Sequence, residues 1–253
     1  MPNYTKHCLI LVFFTFQLIT GKAQIVNIES ARIQSDTTGW LGTAAAAVSL
    51  TKNTQQVFDA EASAHLQYKS KRSLYLILGS YGLLKTKDEN LIDNAFLHFR
   101  YNYKVNKTLR WEAFTQIQNN LVTLIKSRFL IGTGPRFKIA STKIFRFYAA
   151  SLLMYEIEKE TGVNDLHKNF RSSSYASFSI YPNDRMEIIS TTFYQPRVDK
   201  FNDYRILNQS SFKVKASKRL TLGVNWNYLF DNYPALGIPQ VNYYLSTGLE
   251  YAF

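Results

Sequence analysis

Ionisable side chains recur at alternate positions along this 253-residue sequence. Asp59, Glu61 and His65 share one parity, as do His98, Arg100 and Lys104, then Arg110 and Glu112, then Arg136 and Lys138. Arg128, Arg146, Glu156, Arg171, Glu187, Arg205, Lys213, Lys215 and Glu250 hold the same place in later alternating runs. On a strand such residues stand on one face at steps of about 6–7 Å. Charges spaced in that way can line a bore and select solutes by sign. They can also interlock to fill it. The basic set is Arg100, Lys104, Arg110, Arg136, Lys138, Arg146 and Lys213, expected near the mouth at the short turns. Its acidic partners are Asp59, Glu61, Glu112, Glu187 and Glu250. A turn centred on Asn106 would set Arg100 opposite Glu112, and one centred on Ser141 would set Arg136 opposite Arg146.

Other chemistries find less support. A lipid hydrolase of barrel type needs a serine and a histidine within hydrogen-bond reach. Here His65 and His98 lie two strands apart, His167 falls in a loop, and no G-x-S-x-G occurs. No histidine or cysteine spacing indicates a metal site. No catalytic, metal-binding or cofactor-binding residue is therefore expected. The net charge of +12 invites a nucleic-acid reading, but the basic residues are scattered singly through alternating runs, so no nucleic-acid partner is expected.

The elements that must carry these residues are strands. Val241, Tyr243, Leu245, Thr247, Leu249, Tyr251 and Phe253 alternate with Asn242, Tyr244, Ser246, Gly248 and Glu250. Runs at 94–105, 145–157 and 220–231 repeat the pattern, whose period of two marks a strand with one apolar face. Short polar turns at Ser70-Lys71, Asn106-Lys107, Ser141-Thr142, Asn183-Asp184 and Ser217-Lys218 alternate with more varied connections. Those are Thr51–Thr54, Lys85–Asn90, a tight Asn119-Asn120, Lys159–Lys168, Val198–Asp203 and Asn232–Pro239. Twelve strands follow, near 40–50, 55–69, 73–84, 91–105, 108–118, 121–140, 143–157, 169–181, 185–196, 204–216, 219–231 and 241–253. The fold class is all-β, a single antiparallel transmembrane barrel with both termini periplasmic. Pro135, in Gly132-Thr133-Gly134-Pro135, implies a bulge or a break in the sixth strand.

Three features set the apolar parity against lipid rather than around a lipocalin-like core. Aromatics cluster near strand ends, at Tyr68, Tyr103, Trp111, Phe137 and Phe145 and again at Phe58, Tyr155, Tyr194, Tyr204 and Phe230, as in paired interfacial girdles. The strand centres on that parity carry plain residues: Leu76, Leu78, Ala113, Ala149 and Ala176. Leu249, Tyr251 and Phe253 end the chain like the C-terminal signal that barrels present to their assembly machinery. Upstream, Lys6 and His7 precede an apolar stretch from Cys8 to Thr20, and Gly21-Lys22-Ala23 offers a cleavage site, so residues 1–23 read as a signal peptide. A retained N-terminal anchor is the alternative, but the stretch is short for a span. Residues 24–39 then form a short periplasmic arm and 40–253 the barrel. The sole cysteine, Cys8, leaves with the signal, excluding a disulfide framework. The expected location is the bacterial outer membrane. Outer-membrane lipid and the barrel assembly machinery are the expected partners. Other contact surfaces could come from the Lys159–Lys168 loop or from Tyr233–Pro239, the latter expected to pack across the barrel mouth.

Ile25-Val26-Asn27-Ile28-Glu29, Trp40-Leu41-Gly42, Arg100-Tyr101-Asn102-Tyr103, Gly132-Thr133-Gly134-Pro135-Arg136 and the aromatic C-terminus resemble the salt-induced outer-membrane protein family, a domain of unknown function. That resemblance implies a small outer-membrane barrel over nearly all the mature chain and carries over no substrate or catalytic residue. Three roles stay open: a narrow channel for small, anionic solutes, an accessory barrel closed by arginine–glutamate packing, and, more remotely, a lipid hydrolase.

Overall fold

The computed structural model describes residues 38–217 and 219–251. The expected signal peptide, nearly all of the arm, and Phe253 lie outside the described residues. Twelve strands follow in chain order: β1 (Gly39–Lys52), β2 (Gln56–Lys69), β3 (Ser73–Thr86), β4 (Asn90–Lys104), β5 (Leu109–Asn120), β6 (Ile125–Ser141), β7 (Phe145–Glu160), β8 (Leu166–Asn183), β9 (Met186–Pro196), β10 (Tyr204–Lys215), β11 (Leu220–Asp231) and β12 (Val241–Tyr251). Each pairs antiparallel with the next in one twelve-stranded sheet. The sheet curls until side chains of non-adjacent strands meet on its inner face. The Tyr175 hydroxyl on β8 donates to Glu112 on β5 at 2.6 Å, and Arg205 on β10 reaches Glu156 on β7 at 2.5 Å.

The alternation of residue types fixes which face is which. The outer face carries large apolar side chains left uncovered, among them Val48, Ile77, Leu97, Trp111, Ile117, Ile131, Leu153, Phe170 and Leu245. A contiguous apolar surface of that extent needs a nonaqueous neighbour. Outer aromatics touch from strand to strand in two rows. Trp40, Tyr68, Tyr75 and Tyr101 succeed one another across β1–β4 toward the short-turn end, with ring centroids 4.9–6.1 Å apart. Tyr194, Tyr204 and Phe230 do the same across β9–β11 at the other end, each step 5.7 Å. Between the rows, β7–β10 place hydroxyls and an amide outward. These satisfy one another: Ser151 with Ser174, Ser190 with Ser210, and the Asn208 amide donating to Thr192.

Several expectations are corrected by the pairing. Leu76 and Leu78 face inward, opposite Gln67 and His65, and are buried with Phe96. The third strand carries leucine on both parities, so alternation there could not distinguish the faces. Pro135 neither breaks β6 nor bulges it: the β6–β7 register is the same on either side, from Thr133↔Leu153 to Arg136↔Ala150. Its neighbour Gly134 allows this, since a Cβ there would sit 2.7 Å from Leu152 Cα on β7. The bulge lies further along, between Lys138 and Ala140. The β5–β6 turn is wider than a tight Asn119-Asn120, because Asn120 Oδ1 accepts from the Thr123 amide and the chain turns over 121–124. In the β11–β12 loop Leu236 is 95% exposed, while Pro234, Ala235 and Ile238 are half-buried.

Candidate functional site

The inner face is lined most densely on β4–β10. At mid-height an acid joins two cations. Glu112, wholly buried, takes Arg100 Nη1 at 3.0 Å on one oxygen and Arg136 Nη1 at 3.3 Å on the other. Arg100 is not directly opposite Glu112, because the Asn106 side chain accepts from the Thr108 and Leu109 amides and draws the turn out over 105–108. Asn102 occupies that place instead, and the arginine reaches diagonally. Arg136 is likewise not opposite Arg146. The β6–β7 turn, drawn out over 142–145 and clasped by Thr142 to Phe145, pairs Ser141 with Arg146 and so sets Arg136 opposite Ala150, while across β5–β6 it stands beside Arg110. Both like charges lie over the Tyr148 ring, with guanidinium carbons 4.0 Å (Arg136) and 5.8 Å (Arg110) from its centroid. Stacking of this kind lowers the cost of a crowded cation. His98 continues the chain, accepting from Arg100 Nε at 3.3 Å and bonding Gln116 at 2.9 Å.

A second cluster lies toward the longer connections. Glu156, 1% exposed, meets Arg128 at 3.1 Å, Arg171 at 2.6 Å and Arg205 at 2.5 Å. Each arginine holds another carboxylate as well: Glu158 for Arg128, Asp203 for Arg171 at 2.9 Å, and Asp231 for Arg205 at 2.6 Å. Buried charges persist only when paired in this manner. The cluster extends into the 197–203 loop, where Arg197 bridges Asp199 and Asp203. Its hydrogen bonds to Asp199 hold that carboxyl below the usual carboxylate range and raise Arg197. Sequence reasoning placed Glu156, Arg171 and Arg205 inward but passed over Glu158, Asp203 and Asp231. Glu158 was readable as Glu156 plus two, whereas Asp203 sits in a loop with no parity to follow.

The other members of the sequence-derived set stand apart. Lys104 and Lys213 are exposed near the short turns, Lys213 beside Glu187 in register; Lys138 is half-buried. Arg146 lies over the Tyr181 ring at 5.3 Å. Asp59 and Glu61 line a separate recess with Ala45, Ala47, Ser63, Ser80 and Gly82. Glu250 is placed by strand pairing opposite Thr221, and Tyr251 opposite Leu220. Leu249 is outward and 68% exposed. His65 Nε2 has no hydrogen-bond partner among the described residues, and His98 bonds Gln116 and Arg100. No cluster of three or more metal-ligating side chains occurs among them.

The family is decided by residues 44–253, which match the family described as protein of unknown function, DUF481. The chain belongs to that family. The description makes no mention of salt induction. No curated protein matches. Among solved structures, the NanC porin is 10% identical, with 85% of this chain and 99% of that one covered at a TM-score of 0.49. The outer-membrane channel DcaP of Acinetobacter baumannii is 12% identical, covering 85% of this chain and 72% of that one at 0.40. Likenesses of this degree assign no solute to this DUF481 chain.

Proposed function

We propose that this DUF481 protein is an outer-membrane β-barrel whose interior is a narrow diffusion path for small solutes, with a preference for anions set at the short-turn mouth. The observation that carries it is the unequal filling of the inner face. On β4–β10 that face is packed and charge-paired. On β11–β12 and β1–β3 larger inward residues such as Leu76, Leu78 and Tyr244 alternate in height with a set of small ones, Gly223, Gly248, Thr43, Ala45, Ala47 and Gly82. A Cβ added at Gly82, Gly223 or Gly248 would meet nothing within 4 Å. Inner positions so small leave room beside the packed half. Lys104, Lys138 and Lys213 would supply the anion preference, since Arg100 and Arg136 already share Glu112. The uncovered outer face and its aromatic rows support contact with outer-membrane lipid. Export through a signal cleaved near Ala23, and delivery to the assembly machinery through Leu249, Tyr251 and Phe253, complete the reading. Purified, folded protein in planar bilayers should pass small, anion-weighted current. No current would refute the channel.

The second reading, a closed accessory barrel acting through partners, is favoured by the Glu112 and Glu156 clusters, which brace the lumen from β4 to β11. It expects zero conductance together with a stable co-purifying membrane protein.

A further inference from the structure

We infer that the recess at the loop end of the interior, between β4–β5 and β9–β12, is a binding site for a neutral polyhydroxylated solute of the saccharide class. The inference deepens the channel reading and rests on the same water-reachable interior. The recess encloses about 130 Å³ and opens onto the lumen; a cavity of about 150 Å³ admits a single six-membered ring, so one sugar ring would enter while the rest of the solute projects into the lumen.

Its chemistry is that of planar amides facing apolar side chains. Gln116 and Gln118 stand on one wall, Gln209 and Asn227 on the other, with Phe114 and Phe193 among the apolar lining. A sugar presents hydroxyls that both donate and accept, set around C–H faces. Amides match the first and apolar rings the second. Some of this polar capacity is unspent. Gln118 is 8% exposed, and its oxygen accepts from Gln116 Nε2 at 2.6 Å. Its own amide nitrogen, like the Asn227 side chain and the Tyr244 hydroxyl, has no partner among the described residues. The hydroxyl of Thr123, also on the lining, is enclosed and unpartnered. Burying the Thr123 hydroxyl without a partner is costly, and the half-buried Asn227 and Tyr244 are placed to exchange water for a hydroxylated ligand.

The charge state follows from the ion pairs. Arg100, Arg128 and Arg205 reach the lining, but each is held by carboxylates: Glu112, then Glu156 and Glu158, then Glu156 and Asp231. No carboxylate lines the recess itself. Arg100 shares Glu112 with Arg136, but over both clusters Arg100, Arg128, Arg136, Arg171 and Arg205 are balanced by Glu112, Glu156, Glu158, Asp203 and Asp231, so no net charge demands a charged ligand.

The test is isothermal titration of the folded, detergent-solubilised full chain with maltose and with glucuronate, paired with bilayer current. Saturable maltose binding, stronger than glucuronate, is expected, and Asn227→Leu or Gln118→Leu should weaken it about tenfold, as loss of a ligand hydrogen bond does, with current retained. Current without saturable maltose binding overturns the site and leaves the channel standing. Maltose binding without current overturns the channel and leaves the site. Tighter glucuronate than maltose binding overturns the neutral class, and leucine variants that fold and bind maltose undiminished overturn the assignment of these amides.

Discussion

Replacing Glu112 by glutamine keeps the shape of the mid-lumen and removes its only described carboxylate between Arg100 and Arg136. Arg100 and Arg136 are 4% and 1% exposed. Taking one partner from a buried pair costs about 3–5 kcal/mol. Glutamine can still accept the Tyr175 hydroxyl, and the Tyr148 ring still faces Arg136, so the lower end of that range is expected. Urea unfolding in detergent micelles, followed by tryptophan fluorescence, would read it. The same substitution leaves two cations in the bore without their acid. One unit charge about 6 Å from a passing monovalent anion is worth about 2–3 kcal/mol at an effective dielectric near 20. Screening by salt roughly halves this, leaving enough for about a tenfold rise in anion over cation permeability. Reversal potentials across a salt gradient would show it. A variant as stable as the wild type within about 0.5 kcal/mol, or unchanged in ion preference, refutes the role given to Glu112.

Three further outcomes can be checked in the same preparations. Gly134→Ala should destabilise by about 1–3 kcal/mol, the usual cost of overpacking, because the new methyl meets backbone on β7 and backbone cannot step aside. Leu76→Ala should cost about 2–5 kcal/mol as a core truncation, whereas Ile77→Ala, one residue along and facing outward, should cost distinctly less; equal losses would reverse the faces. The Asp199 carboxyl, depressed by Arg197, contributes its loop clasp at pH above the ordinary aspartate range. That contribution is lost as pH falls through its lowered value. NMR titration of Asp199 should show the depression and Arg197→Gln should remove it.

The strand count and nearly every boundary were legible in the sequence because period-two alternation and turn residues are local signals. The positions of charge were legible for the same reason: a face is assigned by parity, and parity needs no long-range information. Pairing was another matter. The Arg100–Glu112 contact was expected directly across β4–β5, yet it forms diagonally, since two hydrogen bonds to one Asn106 oxygen lengthen the turn and slide the register by two. Arg136 lost its expected neighbour Arg146 because the Thr142–Phe145 hydrogen bonds widen the turn and pair Arg146 with Ser141, and the bulge beyond Lys138 takes back only one residue of that shift. Leu76 and Leu78 were misassigned where both faces of β3 carry leucine. The polar outer patch from Ser151 to Ser210 went unread because serine and threonine are compatible with either face once they bond to each other.

The diffusion path stands or falls on what occupies the space beside the packed half. Inner positions on β4–β10 hold Arg100, Glu112, Phe114, Met154, Tyr175 and Phe193, side chains long enough to reach one another across the bore. Those on β11 and β12 at the level of Gly223 and Gly248 hold none, and the two glycines face each other directly in register. Tryptophan at both, in Gly223→Trp/Gly248→Trp, would therefore enter open space rather than displace a neighbour. Stability should change by less than about 1 kcal/mol, as at sites without packing constraints, while two indoles fill much of the gap. Conductance should then drop by more than half with ion preference unchanged, because Lys104, Lys138 and Lys213 remain. If the current is unaffected in a well-folded double variant, ions do not travel along this side. If instead the variant fails to fold, the space was not empty, and the packed-barrel reading gains what the channel loses.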